Sequence, residues 1–230
     1  MQSNAAIDLK LTNGQSISGH VQGTANTPLS NVSVFVFDAN GKLAGEGSTN
    51  ALGNYFVGGG LTGGTYYAAT TNGVDRGVGG GYINVLYSGI TCPLACAVTA
   101  GTPITVGSSP VANINFNLGK GVGFAGKVVD RNNIPLALIT IMVVNASGSI
   151  VGNFSTDSLG KYHASGLPAG TYYARTKNSL GLLDILYGGA YCIGNCSVLA
   201  SAPILISASS QPQTINFLLE PVDIFANGFE

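Results

Sequence analysis

From Val32 to Phe37 the chain alternates: Val32, Val34 and Val36 fall on one side, with Ser33, Phe35 and Phe37 between them. A period of two marks an extended strand, whose successive side chains leave on opposite faces. The pattern returns as Ile139, Ile141 and Val143, interleaved with Thr140, Met142 and Val144. Both runs end in turn-forming residues, Asp38-Ala39-Asn40-Gly41-Lys42 and Asn145-Ala146-Ser147-Gly148, which predict hairpins. Gly53-Asn54-Tyr55 and Gly160-Lys161-Tyr162 open further strands, and Gly-Thr-Tyr-Tyr runs at Gly64 and Gly170 supply another. No stretch carries the 3.6-residue period of a long amphipathic helix.

These matches make the chain a tandem repeat. Gly60-Leu61-Thr62-Gly63-Gly64-Thr65-Tyr66-Tyr67 returns as Gly166-Leu167-Pro168-Ala169-Gly170-Thr171-Tyr172-Tyr173. Gly19 and Pro28-Leu29 recur 107 positions on as Gly126 and Pro135-Leu136; the offset falls to 106 at Leu61 and to 100 at Tyr87. The lost length lies mainly around Asn72 to Gly81, a glycine-rich insertion in the first repeat. Short strands and glycine-rich turns predict an all-β chain of two Ig-like sandwiches, each with about seven strands. The expected divisions are an N-terminal strand in 1–12, repeats at 13–118 and 119–219, and a tail at 220–230. The joint at Gly119 to Gly123 is too short for a floppy tether, so a semi-rigid rod is expected.

One strand occurs once too often. Ile7-Asp8-Leu9-Lys10-Leu11, Ile114-Asn115-Phe116-Asn117-Leu118 and Ile215-Asn216-Phe217-Leu218-Leu219 are three versions of one alternating segment. If it closes the sandwich before it, Ile7, Leu9 and Leu11 belong to a further unit or are lent to a neighbouring molecule, giving a head-to-tail filament. The simpler alternative is that they pair within their own chain. Under strand lending, Phe35 and Phe37, on the second face of their strand, become candidate assembly contacts.

Composition narrows the function. Of 230 residues 45% are apolar, enough for real cores, while only 8% are charged and the net charge is −1. Nothing in this attracts nucleic acid, and no apolar run is long enough to span a bilayer. The four cysteines occur as matching pairs, Cys92/Cys96 and Cys192/Cys196. Three pairings are possible; one pair per repeat makes the local bridges Cys92–Cys96 and Cys192–Cys196 the expected ones, and these suggest export. Three intervening residues and no basic group nearby in sequence argue against a redox pair. Residues 1–6 do not form a signal peptide, so Met1 is expected to begin a trimmed form or a fragment.

Catalytic chemistry finds no foothold. There are two histidines, no Gly-x-Ser-x-Gly elbow, and no recurring set of metal ligands, so no catalytic residue, metal or cofactor is expected. Asp38-Ala39-Asn40-Gly41 reads as a hairpin turn rather than a calcium loop, since Thr49 stands where a bidentate Glu would be needed. Alternation sends one ring of each Tyr-Tyr pair inward and one outward. The outward rings, with Tyr87 and Tyr187 as the candidate ligand surface, keep carbohydrate open as a partner.

The Ile-x-Gly-x-Val strand, the Pro-Leu pair, the Gly-x-Tyr and the Gly-Leu-x-x-Gly-x-Tyr resemble the carboxypeptidase regulatory-like domain, over about Ile17 to Thr70 and Phe124 to Thr176. The resemblance implies a transthyretin-like β-sandwich and an extracellular habit, without catalysis. Asp223 to Glu230 resembles a short ending of secreted proteins from some gammaproteobacteria, which implies a sorting or docking tail. The expected role is therefore a non-catalytic, secreted or cell-surface bacterial array, structural or adhesive, whose partners are copies of itself or other surface proteins. The alternative is a carbohydrate- or protein-binding accessory module of a secreted enzyme.

Overall fold

A computed structural model describes residues 14–71, 81–92, 96–194, 196–208 and 213–221. Ile7, Leu9 and Leu11, and the tail beyond Pro221, lie outside the described residues.

The first repeat is a two-layer sandwich. Its strands are β1 (Gln15–Gln22), β2 (Ser33–Asp38), β3 (Leu43–Ser48), β4 (Asn54–Leu61), β5 (Gly64–Thr71), β6 (Ile104–Val106) and β7 (Phe116–Asn117). One sheet runs β4-β1-β7 and the other β3-β2-β5-β6. The second repeat has β8 (Val122–Asp130), β9 (Thr140–Asn145), β10 (Ile150–Ser155), β11 (Lys161–Leu167), β12 (Gly170–Lys177), β13 (Asp184–Ile185), β14 (Tyr191–Cys192), β15 (Ile204–Ile206), β16 (Gln213–Thr214) and β17 (Phe217–Leu219). Its sheets repeat the plan: β11-β8-β16, with β17 also on β8, faces β10-β9-β12-β15, and β13-β14 is a small outer hairpin.

The period of two decides which side chains meet. Val32, Val34 and Val36 are buried with Ile17, Val21, Tyr55 and Phe116, and Ile139, Ile141 and Val143 with Phe124, Val128, Tyr162 and Phe217. Each such side chain contributes about 1.5–3 kcal/mol on leaving water. The two clusters hold separate residues, so each repeat has its own core.

One turn device recurs around the molecule. An Asp or Asn side-chain oxygen accepts the backbone N–H groups two and four residues on: Asp38 from Asn40 and Lys42, Asn50 from Leu52 and Asn54, Asp130 from Asn132 and Ile134, Asn145 from Ser147 and Ser149, Asp157 from Leu159 and Lys161. The side chain thus supplies the acceptor that the reversing backbone lacks. At Asp157 these bonds, that from Lys161 foremost, hold the carboxyl below its ordinary range.

Candidate functional site

The first and last strands of each sandwich lie side by side and run parallel. β7 pairs with β1 in the register Val21↔Phe116 and Gln22↔Asn117. Before it, Val111 N–H donates to Ser16 O (2.8 Å), Ser18 N–H to Val111 O (2.9 Å) and Ile114 N–H to Ser18 O (3.1 Å). Asn115 Oδ1 accepts His20 N–H at 2.9 Å. The second repeat reproduces this: β16 and β17 run parallel to β8, Ile215 N–H donates to Ala125 O (2.8 Å), and Asn216 Oδ1 accepts Lys127 N–H (2.9 Å).

The sequence motif is what lets this closing strand seat. A Cβ at Gly19 would overlap the carbonyl oxygen of Ile114, and one at Gly126 that of Ile215, so only glycine admits the strand. The tyrosine of each Gly-x-Tyr then fastens it: Tyr55 Oη donates to Ile114 O at 2.6 Å and Tyr162 Oη to Ile215 O at 2.7 Å. Burial pushes both hydroxyls far above the ordinary tyrosine range, with Tyr87 and Tyr187 adding to it, so they remain neutral donors. Both copies of the closing strand that lie among the described residues, Ile114 to Leu118 and Ile215 to Leu219, therefore serve their own repeat. β1 and β8 carry a neighbour on each edge.

Between the repeats, three glycines replace the expected linker. Ile83 N–H donates to Gly119 O and Gly121 N–H to Gly81 O, both at 2.9 Å. A Cβ on Gly121 would stand 2.5 Å from Gly166 Cα, and one on Gly166 would stand 2.9 Å from Tyr82 O. Gly166 itself has φ +74°, a backbone state that favours glycine. Val122 and Gly123 already belong to β8, so the repeats meet backbone to backbone.

Each cysteine pair is bridged locally, Cys92 to Cys96 and Cys192 to Cys196, with Cα atoms 5.3 Å apart in both. In the first repeat the bridged cysteines lie over the outer face of β2 and β5. Phe37, Cys96 and Val98 pack there on Ala69, Leu86 and Cys92. Phe37 is thus occupied within its own chain; Phe35 is half-buried, its ring 6.5 Å from that of Phe37.

The second bridge has a neighbour that its sequence surroundings do not show. Arg175, on β12, donates from Nη1 to Cys192 Sγ at 2.8 Å and to Cys196 Sγ at 3.5 Å. The expectation of no basic group near the cysteines is therefore corrected for this pair. Ala69 is the matching residue beside the first bridge: it pairs with Phe35 as Arg175 pairs with Met142. A guanidinium stabilises thiolate and so favours the reduced form. Stepwise reduction with alkylation and mass spectrometry is expected to open Cys192–Cys196 before Cys92–Cys96, and Arg175→Ala to abolish the difference.

The tyrosines divide as alternation requires: Tyr66 and Tyr172 are buried, while Tyr67 and Tyr173 are half-buried. Tyr66 Oη donates to Thr62 O (2.9 Å) and Tyr172 Oη to Pro168 O (2.7 Å). Tyr87 and Tyr187 lie edge-on to Phe116 and Phe217, at 6.1 and 6.3 Å, packed on the cores rather than laid flat to solvent. Tyr187 also walls an open hollow of about 430 Å³ with Tyr191, Phe217, Leu218 and Glu220. Tyr191 Oη donates to Glu220 Oε2 at 2.5 Å, and this bond raises the hydroxyl above its ordinary range. Thr91 and Gly119 stand at the matching places of the first repeat.

Both histidines sit on the strands of the closing-strand sheet. His20 Nδ1 lies 3.1 Å from Asn54 Oδ1, while His163 Nδ1 is buried without a hydrogen-bond partner. Among the described residues no three His, Cys, Asp or Glu side chains cluster as a metal site would need.

Residues 123–179 match the family model of the carboxypeptidase regulatory-like domain. The match lies within the second repeat, from the start of β8 to just past β12. Its Gly126, Tyr162 and Gly166 are the glycines and tyrosine described above, and the first repeat presents the same arrangement at Gly19, Tyr55 and Gly60. No curated protein matches the chain. Among solved structures it is similar to the Bacillus anthracis TIE protein (15% identity, 90% of this chain and 34% of that one, TM-score 0.32). It is also similar to a streptococcal ancillary pilin (15%, 89% and 62%, 0.37) and to the Streptococcus agalactiae minor pilin GBS52 (13%, 94% and 100%, 0.34). The chain spans about a third of the first of these proteins and under two thirds of the second.

Proposed function

We propose that the chain is a non-catalytic, extracellular structural segment that carries tension along a row of carboxypeptidase regulatory-like sandwiches. The observation that carries this reading is the parallel pairing of the first and last strands in each repeat. The chain enters at the start of one strand and leaves at the end of its parallel neighbour, so pulling the ends apart slides the two strands past each other. All their hydrogen bonds then bear the force together, instead of opening one at a time. The glycine joint passes the pull from one sandwich to the next without a slack tether, and the local disulfides suit an oxidising compartment.

Single-molecule stretching from the termini tests this. Two separate unfolding events are expected, each releasing about 350 Å for a repeat of roughly 100 residues. Extension without resolved peaks would refute the role.

A second reading rests on the hollow beside Tyr191. An accessory binding module would use that site, where an exposed ring, a carboxylate and apolar walls converge and where the first repeat has Thr91 and Gly119 in place of Tyr191 and Glu220.

A further inference from the structure

The joint between the repeats has two halves, and each half occurs a second time in the chain without a partner among the described residues. On the accepting side, Gly121 packs against Gly166 at the turn of β11, and Gly81 and Tyr82 of the preceding repeat rest on Gly166. The first repeat builds a matching seat that is one residue longer and carries its positive φ on Gly59 (+91°) rather than on the glycine that packs. A Cβ on Gly14 would stand 2.6 Å from Gly60 Cα, as one on Gly121 would stand 2.5 Å from Gly166 Cα. The strand registers agree: Gln15↔Leu61 in the first repeat corresponds to Val122↔Leu167 in the second. Yet no described residue lies within 4 Å of the side-chain positions of Gly59 or Gly60.

On the presenting side, Ile83 N–H bonds Gly119 O, and Tyr82 bridges Lys120. The second repeat repeats this too. Leu183 N–H donates to Glu220 O at 2.8 Å and Leu182 bridges Pro221. There Gly181 likewise has no described residue within 4 Å of its side-chain position.

Each open half carries an exposed apolar side chain. Phe56, 63% exposed, follows the turn Asn50–Asn54 on β4, and its ring overlies Gly58 beside the empty seat. Leu180, 57% exposed, adjoins Gly181. By the equivalence with the internal joint, the seat and its complement lie at opposite ends of the pair of repeats.

We propose that the Gly58–Gly60 seat of one molecule receives the Gly181–Leu182 turn of a second copy, in the manner of the internal joint. The contact is heterologous, so it propagates head to tail as an open row rather than closing into a two-fold dimer. Strand exchange is not required, since each described closing strand stays in its own sandwich. This proposal rests on the structural role above, but the stretching of single molecules reads that role independently of any association.

The test uses the whole chain. Sedimentation over a wide concentration range is expected to show elongated oligomers, and Gly60→Arg to weaken association at least tenfold. A side chain at 60 meets no other described residue of its own chain, so circular dichroism and thermal unfolding of that variant should be unchanged. In mixtures of Phe56→Cys and Leu180→Cys molecules, brief oxidation should yield the mixed dimer in preference to either homodimer, read by mass spectrometry of the linked peptides. A chain that stays monomeric, an unaltered association of Gly60→Arg, or Phe56→Cys homodimers in the majority would each overturn the proposal.

Discussion

Gly126→Ala is expected to destabilise the second repeat by about 3 kcal/mol, the upper range for forcing extra atoms into a closed site. The added methyl would occupy the place of the Ile215 carbonyl oxygen and press on the Tyr162 ring, 2.9 Å away. Neither neighbour can give way cheaply. The carbonyl accepts the Tyr162 hydroxyl, and the strand that carries it is fixed on β8 by Ile215 N–H and Asn216. Relief requires the closing strand to lift, which also exposes Phe217 and Leu219. Chemical denaturation followed by hydrogen exchange should show the loss confined to residues 122–221, with the first repeat as an internal reference. Tyr162→Phe removes one hydrogen bond and keeps the ring, so a smaller loss of about 1–2 kcal/mol is expected. If Gly126→Ala cost no more than Tyr162→Phe, close approach of the strand would not be what the glycine provides.

A Gly166→Val substitution is expected to act on the relation between repeats as well as on stability. A β-branched residue at φ +74° is strained by about 1–3 kcal/mol, and its Cβ would crowd Tyr82 O. Because Tyr82 belongs to the preceding repeat, shifting that repeat at the joint relieves the crowding without disturbing the β8–β11 pairing. Nuclear relaxation should then give the two repeats a common rotational correlation time in the parent chain and separate, shorter ones in the variant. Gly60→Val, at the matching but open seat, should leave tumbling unchanged. Identical relaxation in parent and Gly166→Val would mean that the glycines do not couple the sandwiches.

Much of this architecture is legible in the residues. The alternation of Val32, Val34 and Val36 gives the inward face directly, because a strand's two sides depend on parity alone. Duplicated cysteine pairs place the bridges in the same way. What sequence reading misses comes from contacts that join distant positions. Arg175 reaches Cys192 because β12 lies beneath the disulfide loop, and nothing in the first repeat, where Ala69 stands, announces it. Gly81 reads as the end of an insertion, Gly121 as part of the short joint and Gly166 as the start of a repeated motif, and only the fold shows them to be one contact. Tyr87 and Tyr187 read as candidate ligand rings, but Phe116 and Phe217 of the closing strands come up beside them and take much of their surface into packing. The repeat offset itself carries a clue: the step from 107 to 106 is the one extra glycine between Val57 and Leu61, at the seat of the joint.

The most direct measurement compares two directions of pull on the same sandwich. Handles at Gln15 and Gly119 load β1 and β7 along their length, whereas handles at Thr24 and Gly119 lie at the same end of the pair and open its bonds in succession. Unfolding force is expected to be severalfold higher in the first geometry. Equal forces in the two directions would contradict a tension-bearing role for the parallel terminal strands.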